Sequence, residues 1–222
     1  MTAGPRPKPS TAAERALWPD YGYVAGVDEV GRGPLAGPIF AAAVILNPQK
    51  RPRWLKDLRD SKVLTAPERE RLAQAVRKEV PAYGVGYASV AEIDAWGITT
   101  ANRMAMVRAI SALPVRPRYV LIDGPNKLPA FPLPQRAIVD GDASCCSIAA
   151  ASIVAKVARD EVMCRLDSLH PEYGFASHKG YATREHMQQI ARHGPCVQHR
   201  RTWLSVQRLG LEIELSEDDA AG

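Results

Sequence analysis

The spacing of apolar residues along this 222-residue chain changes several times, and each change marks an element. Tyr23–Val27 and Gly37–Leu46 are nearly continuous apolar runs rich in Ala, Val and Ile, which predicts two strands. Gly31–Gly37 between them holds three glycines and a proline, so an irregular turn is predicted there. Tyr83, Val85 and Tyr87 alternate with small residues as a third strand. Tyr119–Ile122 is a short apolar run bounded by turn residues, as in a buried strand, and Ala137–Val139 is a shorter candidate. Helical spacing separates these runs. Thr65-Ala-Pro-Glu68 has the form of a capping box with proline in the first turn. Leu72, Val76 and Val80 then recur every four residues until Pro81 stops the helix. Ala91–Leu113 reads as a helix breaking at Gly97, with Ile98, Ala101, Ala105 and Val107 near one side. Ser144–Leu169 is a long helix whose first half, built of Ala and Ser, suits close packing. Thr183–Arg192 is capped by Thr183 and closed by Gly194-Pro195.

Three early strands without room for crossovers predict an antiparallel meander, and strands joined through helices predict parallel partners. The expected architecture is therefore α/β: a mixed sheet flanked by helices. Residues 1–17 are rich in Pro, Ala and basic groups and read as a flexible arm. Residues 18–211 form the expected folded domain, and 212–222 an acidic disordered tail.

Composition narrows the class. Hydrophobic residues make up 46% and charged residues 24%, which suits a globular chain. No run reaches the ~18 apolar residues of a membrane span, and the N-terminus has no apolar signal region. Cys145, Cys146, Cys164 and Cys196 show no CxxC spacing, so reduced thiols in a cytoplasmic monomer are expected rather than a zinc or disulfide framework. Lys and Arg total 29 against 24 Asp and Glu. Five of those acids lie in the last eleven residues, and the remaining 19 leave a net +10 on residues 1–211. A body that basic suits a polyanionic partner.

Four acids are singled out by position. Asp28 and Glu29 directly follow a strand, Asp123 ends another, and Asp142 follows a third, with Asp140 as a near competitor. An isolated acid after a strand is usually a turn or cap residue. Several at neighbouring strand ends converge on one edge of a sheet, the usual place for a site in such folds. Crowded, desolvated carboxylates repel, and a hard divalent cation such as Mg²⁺ or Mn²⁺ relieves the conflict. Two such ions about 3.5–4 Å apart suit phosphodiester hydrolysis.

The run Asp28-Glu29-Val30-Gly31-Arg32-Gly33-Pro34-Leu35-Ala36-Gly37-Pro38 closely resembles the signature of the type 2 ribonuclease H family, in its bacterial ribonuclease HII branch. The resemblance continues in order through Asp60-Ser61-Lys62, Ile122-Asp123-Gly124 and Gly141-Asp142. It goes on through Ala150–Val157 with Arg159-Asp160, then His178–Thr183, His186 and His199-Arg200, spanning about residues 21 to 208.

This resemblance implies a ribonuclease H-like mixed sheet flanked by helices, with a helical C-terminal extension. It assigns Asp28, Glu29, Asp123 and Asp142 to two catalytic Mg²⁺ or Mn²⁺ ions. The implied activity is endonucleolytic cleavage of RNA in RNA–DNA hybrids and of single ribonucleotides embedded in duplex DNA, a step of ribonucleotide excision repair. Gly31, Arg32 and Gly33 match a turn whose backbone approaches the ribose 2′-hydroxyl, which the missing Cβ permits. Tyr181 matches a tyrosine that packs on the deoxyribose 3′ of the ribonucleotide. Ser61, Lys62 and Lys179 match phosphate-contacting positions, which position a duplex without reading sequence. Two other readings compete with this one. A DNA junction nuclease of the same superfamily has no use for a 2′-hydroxyl sensor, and a non-catalytic nucleic-acid-binding protein has no use for carboxylates beside a polyanion.

Overall fold

The computed structural model describes residues 8–59, 61 and 63–203. Lys62 and the acidic tail 212–222 lie outside the described residues. The described chain divides into two compact units, one drawn from Met1–Val30, Phe40–Tyr87 and Arg103–Ala158, the other from Gly31–Ile39, Ala88–Asn102 and Arg159–Gly222.

The first unit is built on a five-stranded sheet: β1 (Val24–Val30), β2 (Ile39–Ile45), β3 (Ala82–Ala88), β4 (Tyr119–Asp123) and β5 (Gln135–Ile138). The order across it is β3-β2-β1-β4-β5. β1 runs antiparallel to β2, with Glu29 opposite Ala41 and Ala25 opposite Ile45. It runs parallel to β4, with Val27 beside Ile122, and β4 runs parallel to β5. This is the predicted mixed sheet. β2 is buried along its whole length, which explains its unbroken apolar run.

Helices α1 (Ala12–Tyr21), α2 (Ala66–Glu79), α3 (Val90–Ser111), α4 (Gly141–Ser144) and α5 (Cys146–Leu169) follow the chain. The capping box at Thr65 forms, the Thr65 N–H donating to the Glu68 carboxylate at 2.8 Å. α3 kinks at Gly97, whose φ of +77° takes it out of helical geometry. Ala101, Ala105, Met106, Ala109 and Ile110 form its buried positions beyond that kink, while Val107 is exposed.

One local expectation is corrected. Residues 12–17, expected within a flexible arm, are helical as the start of α1. Ala13, Leu17, Trp18 and Tyr21 recur at helical spacing and pack on Val24, Leu121, Cys145 and Ile148. Buried Glu14 accepts the Ser147 N–H at 2.6 Å, so a carboxylate from α1 caps the first turn of α5. The prolines and bases just upstream obscured that stripe. β3 is present as expected, and its inward face is the small one. Ala82, Gly84, Gly86 and Ala88 point inward, and Tyr83 and Tyr87 are exposed. A Cβ on Gly84 or Gly86 would lie 2.3–2.4 Å from the Ala109 or Ala105 carbonyl, so α3 seats its backbone directly on β3. Tyr87 stacks on Phe40 at 5.6 Å.

The same device seats α5 on β1. A Cβ on Gly26 would lie 2.3 Å from Ser147 Oγ, so the small residues of α5 meet the strand at close range. Behind that contact Trp54, Leu58, Leu72, Val76, Ile153 and Val154 belong to one core cluster.

The second unit holds short helices α6 (Phe175–His178) and α7 (Arg184–His193). Its core is Leu35, Ala36, Met163, Tyr173, Phe175 and Ile190.

Candidate functional site

The register of β1 against β4 brings Asp28 alongside Asp123 at the carboxyl ends of adjacent central strands. Asp28 is 5% exposed. Its carboxyl is pushed well above the usual carboxylate range, first by burial, then by the negative fields of Glu29, Asp123 and Asp142. A hydrogen bond from the Ser152 hydroxyl works the other way. The four acids singled out along the sequence thus share one electrostatic neighbourhood. Asp28 Oδ1 accepts the Glu29 N–H at 2.7 Å, and Asp123 Oδ1 accepts the Asp142 N–H at 3.2 Å. This second bond ties the end of β4 to the start of α4. Gly141 permits it, since a Cβ there would lie 2.7 Å from Ile148 and 3.0 Å from that same Asp123 oxygen. The competitor Asp140 is exposed and stands in the left-handed region at φ +51° as the residue before α4. Asp142, in the first turn of α4, is the acid whose field reaches Asp28.

Oxygen-only donors with excess negative charge, one of them desolvated, are what a hard divalent cation relieves, so this donor set fits Mg²⁺ or Mn²⁺. Among the described residues, no three His, Cys, Asp or Glu side chains already converge to metal-holding distance.

Ser61 was expected at a phosphate-facing surface. The structure buries it to 5% exposure, its hydroxyl 3.0 Å from that of Ser152. It therefore backs the serine that bonds Asp28. Ser152 itself was not singled out from sequence. Its signal is the spacing Gly26-x-Asp28, which puts both residues on the strand face that α5 covers.

The other described residues predicted for the site, Gly31, Arg32, Gly33, Lys179 and Tyr181, lie in the second unit, where two turns are stitched together. Leu35 and Ala36 donate their N–H groups to the Gly180 carbonyl at 2.8 and 3.3 Å. Arg159 and Arg200, both fully buried, lock the rest. Arg159 donates to the carbonyls of Ala36, Pro38 and Lys179 at 3.0–3.1 Å. Arg200 donates to the carbonyls of Gly31, Arg32 and Gly37 at 2.5–3.1 Å. Burial, with the field of Arg159, pulls the Arg200 guanidinium down to about 9. Neither arginine was given a role from sequence, since a buried Arg serving only carbonyls leaves no periodic signal.

Within this frame the glycines differ. Gly31 has φ +92°, and a Cβ there would lie 2.3 Å from Arg159 Nε. Gly33 is exposed, and a Cβ there would meet only Tyr181 Cε1 at 3.9 Å. Packing therefore requires Gly31 but leaves Gly33 open. Tyr181 is 43% exposed at its side chain's turn. Its backbone is fixed, the N–H donating to the His178 carbonyl at 3.0 Å and the carbonyl accepting the Thr183 N–H at 2.8 Å. Lys179 sits in the left-handed region at φ +53°, with its ammonium donating to the Ala176 carbonyl. Arg32 is exposed beside Gly33.

Comparison with known proteins identifies the family and the fold. The family model described as Ribonuclease HII matches residues 25–206. The chain is 51% identical over 196 residues to a ribonuclease HII of Desulfitobacterium hafniense, covering 88% of this chain and 74% of that one. It is 53% identical over 180 residues to a ribonuclease HII of Moorella thermoacetica, covering 81% and 85%. Among solved structures it is similar to the ribonuclease H2 of Pyrococcus horikoshii, with a TM-score of 0.73 and 26% identity over 86% of this chain and 99% of that one. The fold also matches Bst-RNase HIII in complex with Mn²⁺, at a TM-score of 0.67 and 22% identity over 86% and 70%.

Proposed function

The chain belongs to the ribonuclease HII family and is an endoribonuclease of the ribonuclease H kind acting on RNA–DNA hybrids; from that premise we propose that it also cuts duplex DNA on the 5′ side of a single embedded ribonucleotide, leaving a 3′-hydroxyl and a 5′-phosphate. The observation that carries the reading is the β1–β4 register that sets Asp28 beside Asp123, with the Asp142 N–H bonded to Asp123. Asp28, Glu29, Asp123 and Asp142 would hold divalent cations. Bound there, Mg²⁺ or Mn²⁺ supplies an acidified water and charge neutralisation at the scissile phosphate.

The chain's own residues do the rest. Ser152, backed by Ser61, orients Asp28 through its hydroxyl. Gly31 and Arg32 hold their carbonyls against Arg200, so the backbone around Gly33 is already set when a ribose arrives. The open side of Gly33 lets main-chain groups approach the 2′-hydroxyl, which both donates and accepts. The Tyr181 ring offers a flat face to the following deoxyribose and disfavours an added hydroxyl there. Arg32 and Lys179 supply positive charge for phosphates, as does Lys62.

The test is a duplex carrying one ribonucleotide, incubated with the full chain and either Mg²⁺ or EDTA, with both products mapped. Cleavage 5′ of the ribonucleotide only with Mg²⁺ is expected. Equal cleavage of an all-DNA junction would favour a junction nuclease, and binding that survives EDTA without any cleavage would favour a non-catalytic binder.

A further inference from the structure

We propose that the first unit carries a second binding site, a pocket for a small anion with a flat apolar body, at the end of the sheet opposite the carboxylates. It goes beyond the nuclease reading and does not rest on it. The cavity has a volume of about 460 Å³, within the usual range for small-molecule sites. It is walled by the last turn of α1, the end of β2 with the loop after it, the 3₁₀ turn Arg53–Asp57 and the end of α2. In the β1–β2 register the end of β2 lies beside Ala25, four residues from Glu29. At about 3.3 Å per residue, that is roughly 13 Å along the strand. The pocket is therefore separate from the acid cluster.

Its chemistry is mixed in a specific way. Trp18, partly exposed, lines it with Leu46, Pro52, Leu55 and Val80, giving apolar walls. The indole Nε1–H groups of Trp18 and Trp54 are buried without a hydrogen-bond partner, a state native interiors rarely leave standing. Three cations, Lys50, Arg51 and Lys78, line the same cavity against one acid, Glu79. Arg51 is held in place. Its guanidinium lies 5.3 Å over the Trp18 ring, and its Nη1 donates to the carbonyls of Pro48 and Lys50 at 3.3 and 3.1 Å.

Apolar aromatic walls call for a planar, poorly hydrated body, and the cationic excess calls for a carboxylate or phosphate attached to it. Inorganic phosphate alone wastes the walls, and a neutral arene wastes the cations. Mononucleotides and free aromatic acids share the required chemistry.

Calorimetric titration of the full chain with 1-naphthyl phosphate, in EDTA, tests the assignment. Saturable 1:1 binding is expected, about tenfold tighter than for 1-naphthol, with no measurable heat for inorganic phosphate. Arg51→Gln and Lys78→Gln, both at exposed positions, should each weaken the naphthyl phosphate affinity several-fold while leaving hybrid cleavage unchanged. Displacement of the probe by AMP identifies nucleotides as the source, and displacement by indole-3-acetate identifies aromatic acids. The proposal is overturned by absence of saturable binding, by affinity unaltered in both variants, or by displacement with neither competitor.

Discussion

The two regions that carry the proposed chemistry are built on opposite electrostatic terms. In the turns around Gly31–Gly37 and Lys179–Tyr181, two buried arginines meet neutral carbonyls, and the backbone is held from several directions at once. At the strand ends, Asp28 is buried among acids that oppose its ionisation. The first region is stabilised in one conformation. The second concentrates like charge, which costs stability in the protein alone and is relieved by a cation. Under the proposed function, the surface that would measure the shape of a sugar needs rigidity, whereas the site that would bind metal and polarise phosphate needs uncompensated field.

That contrast can be broken by exchanging charge for shape in each region. The largest effect is expected from Asp123→Asn. It should lower the hybrid cleavage rate by at least about a hundredfold, while thermal unfolding stays level or shifts upward because repulsion on Asp28 is relieved. A fall in both activity and melting temperature would mean that Asp123 is structural.

Arg200→Met comes next. Removing the guanidinium leaves the carbonyls of Gly31, Arg32 and Gly37 short of buried donors, at a cost of about 3 kcal/mol in urea unfolding. A loss below about 0.5 kcal/mol would show that the turn does not depend on it.

The paired glycines sharpen the comparison within one turn. Gly31→Ala should destabilise by about 2 kcal/mol, from positive φ and the approach to Arg159. Gly33→Ala should leave stability within about 0.5 kcal/mol, since only the Tyr181 ring edge is near. It should still slow cleavage at a single embedded ribonucleotide about tenfold. Unchanged cleavage by Gly33→Ala would remove this glycine from substrate contact.

The smallest effect is a pH dependence in the second unit. His186 and His199 are buried with their Nε2 atoms 3.1 Å apart, and His186 stacks on His178 at 4.2 Å. Burial lowers both rings to about 4, with the neighbouring imidazoles adding to the shift. In the unfolded chain they protonate near 6.5. Between about 6.5 and 4 the unfolded state binds the extra protons. Stability is therefore full above that window, falls as pH drops through it, and levels below it. Denaturant unfolding at pH 7, 5.5 and 4.5 measures this, and His186→Gln should flatten the slope.

The strands, the capping box at Thr65 and the break at Gly97 were legible because period, cap chemistry and glycine act over a few residues. The same holds for the four acids, each adjacent to a strand end in sequence. The inward face of β3 was not, because glycine at 84 and 86 is selected by the α3 backbone lying on it, a partner some twenty residues away. α1 was hidden for a related reason, its stripe acquiring meaning only against Val24, Leu121 and Ile148.

By itself, the sequence determined the α/β class, the order of elements, the acids at the strand ends and, through its motif blocks, the family. Only the tertiary structure decided that Asp142 rather than Asp140 is felt by Asp28, that Ser61 serves Ser152 from within, and that Arg159 and Arg200 fix the turns. The division follows from range. Propensity and periodicity are local properties of a chain, whereas burial, register and the summed field at a carboxyl exist only once distant segments are brought together.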